Sequence, residues 1–220
     1  MALEVVTRSE PLHALSGSVV LPVVPEFRLD ESIGNLDGTF GTWVAAAARA
    51  AGVSGRVGQV AAVPPPDGWH TERIVLAGVG PAAQRTLVDV RRAAALTVKA
   101  VLDAGGRILV WPVMALPYAP IETVVQAIVE GVGLASYRFH RYRSSDAIPR
   151  IDRLVVAGSG AALETGIRRG QIAYESVNFA RDLTNEPGNV LDPERLSGIA
   201  WEIAQEAGLQ CSIYDRALLE

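Results

Sequence analysis

A single cysteine, Cys211, stands in 220 residues, so no disulfide can form within the chain, which suits a reducing compartment. Histidine is nearly as scarce. His13, His70 and His140 lie far apart, and neither H-E-x-x-H nor C-x-x-C occurs, so no compact metal-ligand motif can be read. The G-x-S-x-G signature of a nucleophilic serine is also missing. Long apolar runs are lacking: the stretch near residues 19–24 is broken by Pro22 and is too short to span a bilayer. The opening residues, MALEVVTRSEP, have no basic start followed by a long apolar run. A cytoplasmic location with no membrane partner is therefore expected. Lys99 is the sole lysine, and every other basic residue is arginine. The net charge of −4 offers no general attraction to nucleic acid or acidic lipid.

What is present is an interior-forming composition. Hydrophobic residues make up 49% and charged residues 20%, the balance of a globular chain. Short segments rich in Val, Ile and Leu predict strands at 3–7, 18–24, 56–63, 73–77, 107–113 and 153–157. Helix-period stripes lie between several of them: Leu87, Val90, Ala94, Val98 and Val101 form one, and Ile121, Val125, Ile128, Val132 and Ala135 another. A further helix is expected over 32–51, ending near Gly52. This alternation predicts an α/β domain with a mixed, mostly parallel central sheet and helices on both faces.

Beyond residue 160 the character changes. Residues 1–160 carry 15 basic and 14 acidic side chains, whereas 161–220 carry 5 and 10. Residues 161–185 read as one long linker helix ending before Pro187, since proline disfavours helical geometry in the residue before it. Asp192 then has the form of an N-cap, with Pro193 at the first helical position and Gly208 as the stop. Leu209–Tyr214 reads as a strand containing Cys211, a buried small hydrophobe in that setting. A lone helix and strand cannot bury their own apolar faces, so 186–220 is expected to open a second α/β domain. The division expected is thus 1–160, 161–185 and 186–220. Asn185, Pro187 and Asn189 hold the junction loop.

Several motifs have the form of a chemical site. Gly78-Val79-Gly80-Pro81-Ala82-Ala83 has the form of a dinucleotide fingerprint, but the next strand, ILVWPVM, ends without the acid that would hold a ribose. Pro81 also removes an amide where a phosphate would sit, so a tight strand-to-helix turn is the simpler reading. Gly158-Ser159-Gly160 is weaker still. Residues 137–143, YRFHRYR, alternate basic and aromatic side chains; Arg138, Arg141 and Arg143 would form a nucleic-acid patch. The competing reading is a helix end whose cationic groups meet the dipole. Glu202 and Glu206 share a face opposite the apolar stripe and read as solvated. No active site emerges from these residues.

The stretch 166–196, GIRRGQIAYESVNFARDLTNEPGNVLDPERL, resembles a segment of the leucyl (cytosol) aminopeptidase family of metallopeptidases. Members carry a long helix ending in A-R-D/E-L, then N-x-P-x-N, then a helix-opening proline; here these are Ala180 to Leu183, then Asn185, Pro187 and Asn189, then Pro193. YRFHRYRS is similar to a second family pattern, with His140 where an acid is usual. The resemblance implies a macro-domain-like N-terminal domain joined by a linker helix to a catalytic domain. It implies a parent that releases N-terminal amino acids from peptides using two divalent metals, Mn, Zn or Mg, and that assembles as a homo-hexamer. The family's metal motifs, resembling G-K-G-x-x-F-D-S/T-G-G and N-T-D-A-E-G-R, do not occur in this sequence, so no catalytic or metal-binding residue and no cofactor is expected in the chain itself. Two alternatives from other classes remain: a DNA-binding module using the arginine patch, and a nucleotide or ADP-ribose binder by analogy with macro domains.

Overall fold

The computed structural model describes residues 3–30, 33, 38–142, 149–215 and 218. Among these residues seven strands and five α-helices follow in the order β1 (Glu4–Arg8), β2 (Ser18–Val24), β3 (Arg28–Leu29), α1 (Gly38–Ala50), β4 (Val60–Val63), β5 (Arg73–Gly78), α2 (Leu87–Asp103), β6 (Ile108–Pro112), α3 (Ile121–Ala135), β7 (Arg153–Ala157), α4 (Ala161–Asn185) and α5 (Pro193–Ala207). The sheet order is β1-β7-β6-β2-β5-β4, with β3 paired to β2. β1, β7, β6, β2 and β5 are mutually parallel along that order, while β3 and β4 run antiparallel to their neighbours. The mixed, mostly parallel sheet expected from the sequence is the one observed.

Side chains on successive strand positions point to opposite faces, and each face has its own core. Val20, Val75, Ala77, Leu109, Trp111, Leu154 and Val156 face α2 and α3 and the first turns of α4. Val19, Leu21, Val23, Ile74, Leu76, Val110 and Val155 face α1 through Phe40, Val44 and Ala48. Helices therefore cover both faces, as a buried parallel sheet requires. Helix α2 begins at a capping box: the Thr86 hydroxyl accepts from the Asp89 amide, and the Asp89 carboxylate accepts from the Thr86 amide at 2.9 Å. Between α2 and α3, Arg91 pairs with the buried Glu130 at 2.6 Å, and Gln126 donates to the other Glu130 oxygen at 2.8 Å.

Two sequence expectations need correction. Only Val60–Val63 of the strand expected at 56–63 is extended in the ladder. Ahead of it, the Gln59 side chain accepts from the Arg56 amide at 3.1 Å and donates to the Gly52 carbonyl at 3.2 Å, folding the segment into a turn. The strand expected at Leu209–Tyr214 is not formed; these residues have no regular structure, and Ile213 and Tyr214 are exposed. A strand is stabilised by a neighbour's ladder, and among the described residues none pairs with this one. Cys211 is accordingly half-buried rather than enclosed.

The chain divides into two compact units, residues 1–178 and 179–220, so the division falls inside α4. In the second unit, α5 is built as its sequence demands. Asp192 accepts from the Arg195 amide at 2.7 Å, Pro193 occupies the first turn, and Gly208 closes the helix in the left-handed conformation at φ 66°. No helix among the described residues is long and apolar enough to cross a membrane.

Candidate functional site

Because β2, β5 and β6 are parallel neighbours, their carboxyl ends lie along one edge of the sheet. From β5 the chain passes through α2 to β6, on the other side of β2. This is the change of winding direction at which open α/β sheets form their binding crevices. A cavity of about 570 Å³ sits there, lined by Val24, Pro25, Glu26, Arg28, Leu29 and Asp30 after β2, by Pro81–Ala83 after β5, and by Ala115–Pro117 after β6. Its volume falls in the range of small-molecule sites.

The first wall is a strained hairpin. β2 turns through Pro25, Glu26 and Phe27 and comes back as β3, pairing Val24 with Arg28 and Val23 with Leu29. Glu26 (φ 68°) and Phe27 (φ 62°) both have left-handed backbones, the sole non-glycine residues to do so among those described. Each such residue costs about 1–3 kcal/mol, and the conformation persists only where its surroundings fix it. Three contacts do so here. The Phe27 ring packs on the α1-side core with the Arg49 guanidinium 5.6 Å from its centroid. The Asp30 amide donates to the Pro22 carbonyl at 2.9 Å. The Asp30 carboxylate meets the Arg85 guanidinium at 2.5 Å.

Arg85 joins the loops beneath the cavity. Its side chain is fully buried; Nε donates to the Val79 carbonyl at 3.0 Å and Nη2 to the Gly80 carbonyl at 3.1 Å. Nη1 lies 3.9 Å from the Met114 sulfur, and the Tyr118 hydroxyl donates to the Arg85 carbonyl. One guanidinium thus ties the segments after β2, β5 and β6 together, and its charge is answered by Asp30. A buried cation is tolerated only when paired and hydrogen-bonded in this way. Neither residue was singled out from the sequence, since their pairing joins segments on either side of α1 and β4.

The Gly78–Ala83 turn, noted for its fingerprint form, contributes a wall of this cavity. Its glycines answer to packing: a Cβ on Gly78 would lie 2.1 Å from the Arg56 carbonyl oxygen, and Gly80 is left-handed at φ 74°. Helix α2 begins only at Leu87, so no helix N-terminus faces the turn directly.

The other residues named from the sequence lie elsewhere. Asn185 ends α4, and Pro187 and Asn189 lie exposed in the link to α5. There the Val190 and Leu191 amides donate to the Pro187 carbonyl at 2.8 and 3.0 Å. Arg138 follows α3 and donates to the carbonyls of Ala135 (3.0 Å) and Tyr137 (2.7 Å), the helix-end role. His140 shares a contact with the Arg138 carbonyl at 3.0 Å. Arg141 is exposed, and Arg143 lies outside the described residues. Glu202 and Glu206 are exposed. Among the described residues no group of three His, Cys, Asp or Glu is placed to hold a metal ion, so the residues present do not fit a two-metal centre.

Comparison with known proteins gives this architecture a family. Residues 20–146 match the profile of the cytosol aminopeptidase family, N-terminal domain. A "Probable cytosol aminopeptidase" of Persephonella marina is 32% identical over 200 residues, covering 88% of this chain and 40% of that protein. One from Aquifex aeolicus is 39% identical over 100 residues, covering 45% and 20%. The chain therefore spans well under half the length of these curated relatives. Among solved structures, the bottromycin maturation enzyme BotP superposes with a TM-score of 0.71 at 29% identity, covering 93% of this chain and 40% of that one. A mutant of tomato leucine aminopeptidase has a TM-score of 0.75 at 19% identity, a likeness of fold alone. The chain belongs to the cytosol aminopeptidase family and carries its N-terminal domain.

Proposed function

We propose that this chain is the non-catalytic N-terminal part of a metal-dependent aminopeptidase that removes N-terminal residues from peptides. The observation that carries the reading is the match of residues 20–146 to the family's N-terminal domain, together with a fold shared over 93% of the chain with BotP. In the proposal, residues 1–160 form the α/β domain, 161–185 the linker helix, and 186–220 the opening of the catalytic domain. Asn185, Pro187 and Asn189 hold the turn at that junction.

The catalytic domain would supply two divalent ions, Mn, Zn or Mg; BotP has been solved in complex with Mn, which supports a divalent metal in the parent. Such a pair, when bound, activates a water and polarises the scissile carbonyl. The described residues of this chain do not fit that centre, and no catalytic step is assigned to them. The further partners in this reading are a homo-hexameric assembly and peptide substrates, in the cytoplasm.

The test is a direct one. The 220-residue chain, supplied with Mn²⁺, is expected to release no leucine from leucyl amide, whereas a chain extended in frame through both metal-binding motifs is expected to do so. Metal-dependent turnover by the 220-residue chain, or none by the extended one, would overturn the reading.

A further inference from the structure

The carboxyl-edge cavity has features that define what it can hold. Each of the three segments around it contributes a proline: Pro25 after β2, Pro81 after β5 and Pro117 after β6. Proline fixes its own backbone and offers no amide donor. The walls are thus fixed at these three positions, each of which withholds the amide that a phosphate cradle would use. Among the described residues no aromatic ring lines the cavity, so a nucleobase finds no platform there to stack on. Nine of the twelve described lining residues are Val, Leu, Ala or Pro, which suits an aliphatic body.

The remaining three described lining residues are charged. Asp30 is committed to Arg85 beneath the floor. Glu26 and Arg28 stand at the rim with side chains largely exposed, and Glu26 Oε2 lies 3.7 Å from Arg28 Nε. Opposite charges this close match a ligand whose own opposite charges sit on two groups bonded to one carbon. An α-amino acid has that arrangement; a peptide, with its termini separated, does not. The hairpin's left-handed Glu26 and Phe27 hold the acid at this rim, and backbone strain of that kind gathers at ligand sites.

We infer that this cavity binds a free aliphatic α-amino acid, its side chain against the proline-edged walls, its ammonium on Glu26 and its carboxylate on Arg28. The site is independent of peptidase chemistry. If the aminopeptidase reading holds, the ligand is of the class that the reaction releases, and the N-terminal domain senses product. The cavity exceeds the needs of one aliphatic side chain, so the head group carries the selectivity, and leucine, isoleucine and methionine bind alike.

The test is an amide-resolved NMR titration of the 220-residue chain with L-leucine, in the presence of a metal chelator. Saturable shifts are expected at Ala82, Ala83 and Leu116. N-acetyl-leucine, which lacks the ammonium, and leucinamide, which lacks the carboxylate, are each expected to bind about two- to fivefold more weakly, the range of exposed ion pairs. Glu26→Gln should weaken leucine but not N-acetyl-leucine; Arg28→Gln should weaken leucine but not leucinamide. Ala82→Trp, at an exposed position, should abolish the shifts while the far-ultraviolet circular dichroism stays that of the parent chain. Three results would overturn the inference: no saturable shift with leucine at millimolar concentration, leucine binding unaffected by both rim substitutions, or tighter binding of ADP-ribose at the same residues. None of these bears on peptide cleavage, so this site and the proposed function fail separately.

Discussion

At the scale of single residues, Arg85 shows how a charge becomes structural. Its guanidinium is fully buried, and Asp30, its counter-charge, is almost so. Removing one member of such a pair leaves the other ionised in a dry place, which costs about 3–5 kcal/mol. Arg85→Met is therefore expected to lower the unfolding free energy read from a urea titration by that amount, and Arg85→Met with Asp30→Asn to recover a large part of it. Equal losses in the two variants would show that the arginine's bonds to Val79 and Gly80 matter and the carboxylate does not. Tyr174 makes a second prediction. Burial chiefly, then the neighbouring Glu175 charge and hydrogen bond, push its phenol from the ordinary 10.0 up to about 12. The folded chain holds this proton more tightly than the unfolded chain. The stabilisation is thus complete below pH 10 and is lost as the pH rises through 12. Alkaline denaturation followed between those values should be shallower in Tyr174→Phe. An identical profile in the two proteins would assign the alkaline loss to other groups.

Among elements, α3 and α4 meet where a helix surface is bare. Tyr174 of α4 rests on Gly133 of α3 so closely that a Cβ there would lie 2.2 Å from its Cγ. Gly133→Ala is expected to cost about 1–3 kcal/mol by overpacking, measured as a lower melting temperature. Tyr174→Ala in the same chain should remove the clash, so the two losses should be less than additive. The link between α4 and α5 is the other element-scale case. Asn185 and residues 187–190 are exposed, and α5 has a single fully buried residue, Ala204, while Leu196, Trp201 and Ile203 are exposed. Exposed, loosely held backbone is where proteases cut first. Limited proteolysis is expected to cleave between 185 and 192 and leave a resistant fragment ending near 185. If residues 186–220 survive as long as the rest, the proposed boundary is misplaced.

At the scale of the whole molecule, the described residues carry a ligand-sized cavity on the sheet edge and no cluster of three metal-ligating side chains. Binding to the folded state raises stability by mass action. With no three-residue cluster of metal-ligating side chains among those described, Mn²⁺ or Zn²⁺ is expected to leave the melting temperature of this chain unchanged. A saturable rise with either ion would reveal a site that these residues do not account for. Of the arginine patch, Arg138 donates to the carbonyls at the end of α3, Arg141 is exposed, and Arg143 lies outside the described residues.

Local pattern determined a good deal. The near-continuous apolar runs at Ser18–Val24 and Arg153–Ala157 marked both strands to the residue, because side chains of a strand buried on both faces are nearly all apolar and β-branched residues suit that backbone. Asp192, Pro193 and Gly208 bounded α5, because caps satisfy backbone groups within a few residues of themselves. The N-x-P-x-N segment pointed to the family for the same reason: its spacing is contained in one stretch of chain. What joins distant segments was decided only by the tertiary structure. The order of the strands, the return of β3 onto β2, and the meeting of Asp30 with Arg85 depend on partners that no sequence window contains. Leu209–Tyr214 shows the same rule from the other side. Its pattern suits a strand, but strand pairing is a property of two segments, and among the described residues none pairs with it. The cavity belongs to this class as well. Its apolar walls look like ordinary loop residues until the parallel sheet brings the ends of β2, β5 and β6 to one edge.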